Sequence, residues 1–88
     1  MKISREHHLG HEEARQRVEK AADVLADKYN LRYKWRGDDL NFHGTGVKGC
    51  IAVAETTIDI EVRLGFALMM LESTIRSSVE EAIDQNLA

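Results

Sequence analysis

Between residues 11 and 29 the apolar positions recur at helical spacing. Ala14, Val18, Ala21, Ala22, Leu25 and Tyr29 fall on one face. Gly10 is placed as an N-cap, Glu12 and Glu13 complement the dipole of the first turn, and Lys28 does so near the last. Leu9 stands where a hydrophobic staple begins, and Asn30 suits a left-handed cap. This pattern predicts an amphipathic helix over 11–29. At residue 31 the period drops to two. Leu31, Tyr33 and Trp35 alternate with Arg32, Lys34 and Arg36, as in a half-buried strand over 31–36. A turn at Gly37-Asp38-Asp39 leads to a second strand with Leu40 and Phe42 on one side, and His43-Gly44-Thr45-Gly46 turns the chain again. A third strand is predicted over 47–54, with Val47, Ile51 and Val53 on one side. A fourth is predicted over 57–64, where Ile58, Ile60, Val62 and Leu64 alternate with Thr57, Asp59, Glu61 and Arg63.

Helical spacing returns after Gly65 and predicts a second helix over 67–86, with Leu68, Leu71, Ile75, Val79, Ala82 and Ile83 on its inner face. Residues 2–8 show a weaker alternation, with Ile3 its one clear apolar member, consistent with a short edge strand. The order is β-α-β-β-β-β-α. Short strands joined by tight turns pair most simply as an antiparallel meander of four to five strands, with the two helices packed on one face: an α+β fold.

The meander leaves its other face uncovered. Arg32, Lys34, Arg36, Asn41, His43, Lys48, Cys50, Ala52, Ala54, Asp59, Glu61 and Arg63 are expected there. Antiparallel sheets commonly keep one face wet. The alternative is that the small residues Cys50, Ala52 and Ala54 form a flat patch for a second sheet or a partner. Phe66, Met69 and Met70 widen the apolar surface of the second helix beyond one stripe. They form either a broad helix start tucked under the sheet edge or an exposed, adaptable contact surface.

Composition narrows these readings. Eighty-eight residues make one domain, 1–88, with a modest core and little room for an enclosed active site. Dimerisation would bury more apolar surface. The net charge of −3 opposes nucleic-acid binding, which calls for basic excess. Tyr33 and Trp35 also point away from Arg32 and Lys34 on a strand, so stacking and phosphate contact cannot share a surface. The longest apolar run is Phe66–Leu71, far short of the ~20 residues a membrane span needs. Cys50 is the only cysteine. A lone thiol and no signal peptide fit a reducing compartment, the cytoplasm.

Candidate chemistry is sparse. His7, His8 and His11 cluster in sequence but straddle a strand and a helix. Zinc needs three or four converging ligands, so solvated surface histidines, and no metal, are expected. Lys48, two residues from Cys50 on the same strand face, is a weak reason to expect a lowered thiol pKa. Gly44-Thr45-Gly46-Val47-Lys48-Gly49 opens no helix, so it reads as a hairpin and not a phosphate cradle. Ser73, Ser77 and Ser78 have no strand–turn–helix elbow and make no triad. No cofactor is implied.

One resemblance covers nearly the whole chain. His7, Leu9-Gly10 and Glu12-Glu13-Ala14-Arg15 are followed by Tyr33, Trp35, Gly37-Asp38, Leu40 and Phe42, then by Gly46-Val47 and Gly49, and last by Glu61, Leu64-Gly65-Phe66 and Leu68. In that order they resemble the polyhydroxyalkanoic acid system family, small bacterial proteins linked to polyester storage. The resemblance implies a non-enzymatic accessory protein at polyhydroxyalkanoate granules. Its partner would be the granule surface or a granule protein, and the resemblance carries over no catalytic residues. The surface expected to make the contact is Phe66, Met69 and Met70, with the open sheet face (Arg32, Lys34, His43, Lys48, Cys50) a further candidate. Two rivals remain: a small-molecule-binding or enzymatic domain with a pocket between the sheet and the C-terminal helix, and a homodimeric interaction module.

Overall fold

The computed structural model describes residues 1–88. Its elements are β1 (Lys2–Glu6), α1 (His11–Tyr29), β2 (Arg32–Arg36), β3 (Asp39–Gly44), β4 (Val47–Val53), β5 (Thr57–Leu64), a 3-10 segment (Phe66–Leu71) and α2 (Glu72–Leu87). The sheet is antiparallel throughout, in the order β1-β5-β4-β3-β2. The four consecutive strands form the expected meander. The weak alternation near the N-terminus is a true strand, shorter than expected, which joins the meander's far edge beside β5.

Two hairpins follow from the turn chemistry. Arg36 pairs with Asp39 and leaves Gly37-Asp38 as the loop, with Gly37 at φ 60°. Gly44 pairs with Val47 and leaves Thr45-Gly46, with Gly46 at φ 77°. At Gly37, the first loop position, a positive φ is the conformation that matches the right-handed twist of the strands, and at Gly46, the second, it is the left-handed conformation that glycine adopts without a steric cost. Helix α1 starts at the Gly10 cap and ends at Asn30, whose left-handed conformation (φ 55°, ψ 49°) lets its N–H bond the Ala26 carbonyl.

Both helices cover one face. Ala14, Val18, Ala21 and Leu25 of α1 and Ile75, Val79 and Ile83 of α2 form a single core with Leu40, Ile51, Ile58, Ile60 and Val62 of the sheet. The alanines are buried at α1's point of approach, so the helix backbone can lie close to the strands. Trp35 Nε1 donates to Glu19 Oε1 at 2.8 Å, and the Tyr33 hydroxyl donates to Asp23. These bonds tie the half-buried aromatics of β2 to α1. Arg5, on the helix side of β1, pairs with Glu80 at 2.9 Å and Asp84 at 2.8 Å and anchors α2.

The region after Gly65 departs from expectation. No α-helix begins at residue 67; Phe66–Leu71 is a 3-10 turn, and α2 starts at Glu72. Leu71, expected in the core, is half exposed. Over six residues the apolar run Phe66-Ala67-Leu68-Met69-Met70-Leu71 does not distinguish a period of 3.0 from one of 3.6. The packing decides: Leu68 alone turns inward, against Gly46, and Leu71 (φ −99°, ψ 7°) leaves the helical region before α2 begins.

Candidate functional site

The 3-10 segment carries the most unusual surface. Phe66 is 92% exposed, Met69 57%, Met70 95% and Leu71 50%. The reading in which these residues tuck under the sheet edge is therefore wrong. With Leu68 drawn in as the anchor, the tighter 3-10 period turns its neighbours outward. The result is a contiguous apolar patch at the junction of β5 and α2, with no charged residue between Gly65 and Glu72. Single exposed apolar side chains are ordinary, but four in one short segment are not.

Behind this segment lies an apolar cavity of about 210 Å³ between α1, α2 and the sheet. Leu25 and Tyr29 of α1, Phe42 of β3, Ile51 of β4, Val79 of α2 and the inward Leu68 contribute to its wall. Thr45 is the only residue of the lining that is not hydrophobic. His43 and Arg32 lie outside it, on the opposite sheet face. At its rim two elements share a polar cluster. The Tyr29 hydroxyl donates to Ser78 Oγ at 2.7 Å, and Lys28 Nζ donates to the same oxygen at 3.0 Å. Sequence reasoning missed this trio, because Lys28 and Tyr29 close one helix while Ser78 lies 49 residues further along the chain from Tyr29.

The uncovered sheet face has the expected members, arranged in rows across the strands. Arg32, His43, Lys48 and Arg63 occupy one row. Lys34, Asn41, Cys50, Glu61 and Lys2 occupy the next. A shallow depression of about 200 Å³ lies among Asn41, Lys48, Cys50, Glu61 and Arg63. Arg63 and Glu61 pair within it at 3.3 Å. The Cys50 thiol is pushed up, by partial burial first and then by Asp39 and Glu61, so the expectation of a lowered pKa from Lys48 is overturned. The cross-strand neighbours of Cys50 are Asn41 and Glu61, and burial together with the negative charges of Asp39 and Glu61 disfavours the thiolate.

The histidines separate. His8 is exposed, while His7 is buried, contrary to the expectation of solvated histidines. His7 Nε2 lies 3.1 Å from the Ala54 carbonyl, and its Nδ1 accepts the Leu9 N–H at 3.3 Å. His11 Nε2 lies 2.9 Å from Asp38 Oδ1 at the β2–β3 turn. No three His, Cys, Asp or Glu side chains converge where they could hold a metal ion. No helix is long and apolar enough to cross a membrane.

Comparison with known proteins places this geometry in a family context. No curated protein and no solved structure matches the chain. Residues 1–87 match a family described as "Putative polyhydroxyalkanoic acid system protein". The match spans every strand and both helices, and the chain belongs to this polyhydroxyalkanoic acid system family.

Proposed function

We propose that the protein is a non-enzymatic accessory protein of polyhydroxyalkanoate granules in the cytoplasm, and that it adsorbs to the granule surface through Phe66, Met69 and Met70. The observation that carries this reading is the exposure of those side chains on one short segment anchored by Leu68. A polyester granule is a large apolar particle. Adsorption to it needs exposed apolar area rather than directed chemistry, since the hydrophobic effect is non-directional. Methionine suits an irregular surface because its unbranched, polarisable side chain adapts to what it meets. The open sheet face, rich in Arg32, Lys34 and Lys48, stays free for water or for a granule protein.

Co-sedimentation with isolated granules, beside an acidic control protein of similar size, tests the assignment. The wild type pellets selectively and saturably. Burial of Phe66 and Met70 contributes about 1.5–3 kcal/mol each when complete. Phe66→Ser with Met70→Ser therefore weakens association at least tenfold. A folded double variant that pellets like the wild type overturns the contact surface, and wild-type pelleting no better than the control overturns the granule reading.

A further inference from the structure

We infer that the cavity between α1, α2 and the sheet is a binding site for one medium-length alkyl chain with a carboxylate head, the chain lying among Leu25, Ile51 and Val79 and the carboxylate at Lys28, Tyr29 and Ser78. The inference rests on the cavity and its rim, and does not depend on the granule contact.

The volume comes first. Engineered apolar cavities of about 150 Å³ stay dry and take up benzene, a six-carbon ligand. A cavity of about 210 Å³ is larger than that, and in proportion holds about eight carbons. Its wall offers no partner for a polar ligand body, apart from Thr45 and the tyrosine hydroxyls. Water inside would find few of the two to four polar partners it needs. Unfilled, the site leaves its lining without packing contacts on one side, a standing loss that an alkyl chain removes.

The rim then sets the head group. Ligand sites pair an apolar body with a few placed polar groups. Here the Tyr29 ring is part of the cavity wall while its hydroxyl reaches Ser78 Oγ, where Lys28 Nζ also arrives. The Ser78 oxygen accepts both bonds, so the cluster presents an ammonium and two hydroxyls one ring's length from the apolar interior. An ammonium with spare N–H donors recruits a carboxylate by charge-assisted hydrogen bonding. A neutral alkane or alcohol makes no such use of Lys28. At neutral pH an alkanoic acid is ionised, because carboxyl groups ordinarily titrate near pH 4.

Octanoate, titrated into methyl-labelled protein at neutral pH and followed by NMR, tests the site. The expected result is one saturable site per chain, with shifts and intermolecular NOEs at the methyls of Leu25, Ile51 and Val79. Ala26, half buried in the cavity wall, provides the blocking variant. Ala26→Phe fills the space and abolishes octanoate binding while granule pelleting is retained. Lys28→Ala weakens octanoate roughly three- to tenfold, as expected for one exposed charged contact, and leaves octanol unchanged. If Ala26→Phe fails to fold, the NOEs in the wild-type protein decide the question. Absence of NOEs to the cavity methyls, or binding that survives Ala26→Phe but is lost in Phe66→Ser with Met70→Ser, overturns the proposal. Equal binding of octanol and octanoate with no effect of Lys28→Ala overturns the head-group assignment.

Discussion

His7 locks the junction between β1 and α1. Its backbone N–H reaches the Thr56 carbonyl at 2.9 Å, its Nε2 faces the Ala54 carbonyl, and its Nδ1 accepts from Leu9. One neutral tautomer, with the proton on Nε2, satisfies both ring contacts at once. His7 is itself buried, so replacing it by alanine empties the space its ring fills and leaves the Leu9 N–H and the Ala54 carbonyl without these ring partners; His7→Ala lowers unfolding free energy by about 1–3 kcal/mol in urea denaturation. Tyr33 gives a second residue-scale signature. Its hydrogen bond to Asp23, helped by burial and by the charges of Asp23 and Glu19, raises its pKa to about 12. The unfolded tyrosine ionises near 10. The folded protein therefore holds its proton through a window where the unfolded chain releases it. The associated stability is present below about pH 10 and is lost as pH rises toward 12. Absorbance titration of the folded protein shows a tyrosinate component with a midpoint near 12, and Tyr33→Phe removes that component. Neither role stood out in the chain. Nothing in the spacing of His7, His8 and His11 tells which ring is buried, because that depends on the Ala54–Thr56 turn some fifty residues away. Alternation puts Tyr33 on the inner face, but its carboxylate partner sits on a helix whose angle over the sheet only packing determines.

The strands were more legible than the segment that follows them. Alternation placed all four meander strands, because a half-buried sheet imposes a period of two along its whole length. The pleat also explains Gly49, which interrupts the apolar side of β4. A Cβ there would lie 2.4 Å from the Glu61 carbonyl oxygen and 2.4 Å from the Phe42 ring. Phe42 is directly opposite in the register and occupies the place of the missing side chain. Gly49→Ala forces the ring and the β4–β5 ladder apart. Overpacking of this kind lowers stability by about 1–3 kcal/mol, measurable as a lower urea midpoint with an unchanged slope. The 3-10 segment was not legible as such. Hydrophobicity marked residues 66–71 as important but could not say which would point inward; the hole beside Gly46 that accepts Leu68 is a property of the assembled hairpin.

For the molecule as a whole, the packed core and the exposed apolar segment are separable. The core of α1, α2 and the sheet does not include Phe66 or Met70. Polar substitutions at these exposed positions therefore stay within about 0.5 kcal/mol of wild-type stability. Matching melting curves for wild type and the Phe66→Ser, Met70→Ser protein check this, and they also make any lost granule pelleting attributable to the surface itself. The cavity is only half legible in the chain. An inner face of aliphatic and aromatic residues was evident, but whether they would close completely depended on how far α2 sits from β3, which no local pattern encodes.

The placement of β1 sets an order of events in time. Residues 2–6 pair only with residues 57–61 of β5, and Arg5 reaches on to Glu80 and Asp84. The other four strands pair with sequence neighbours through short turns. During synthesis the chain emerges from its N-terminus, so the first strand made is the last to find its place. It waits as an unpaired ribbon until the fifth strand leaves the ribosome. Its sequence, Lys2-Ile3-Ser4-Arg5-Glu6, has a single apolar residue among charged and polar ones. Such a strand is a poor template for association with other nascent chains, and the weak alternation that made it hard to recognise is what keeps it safe while it waits.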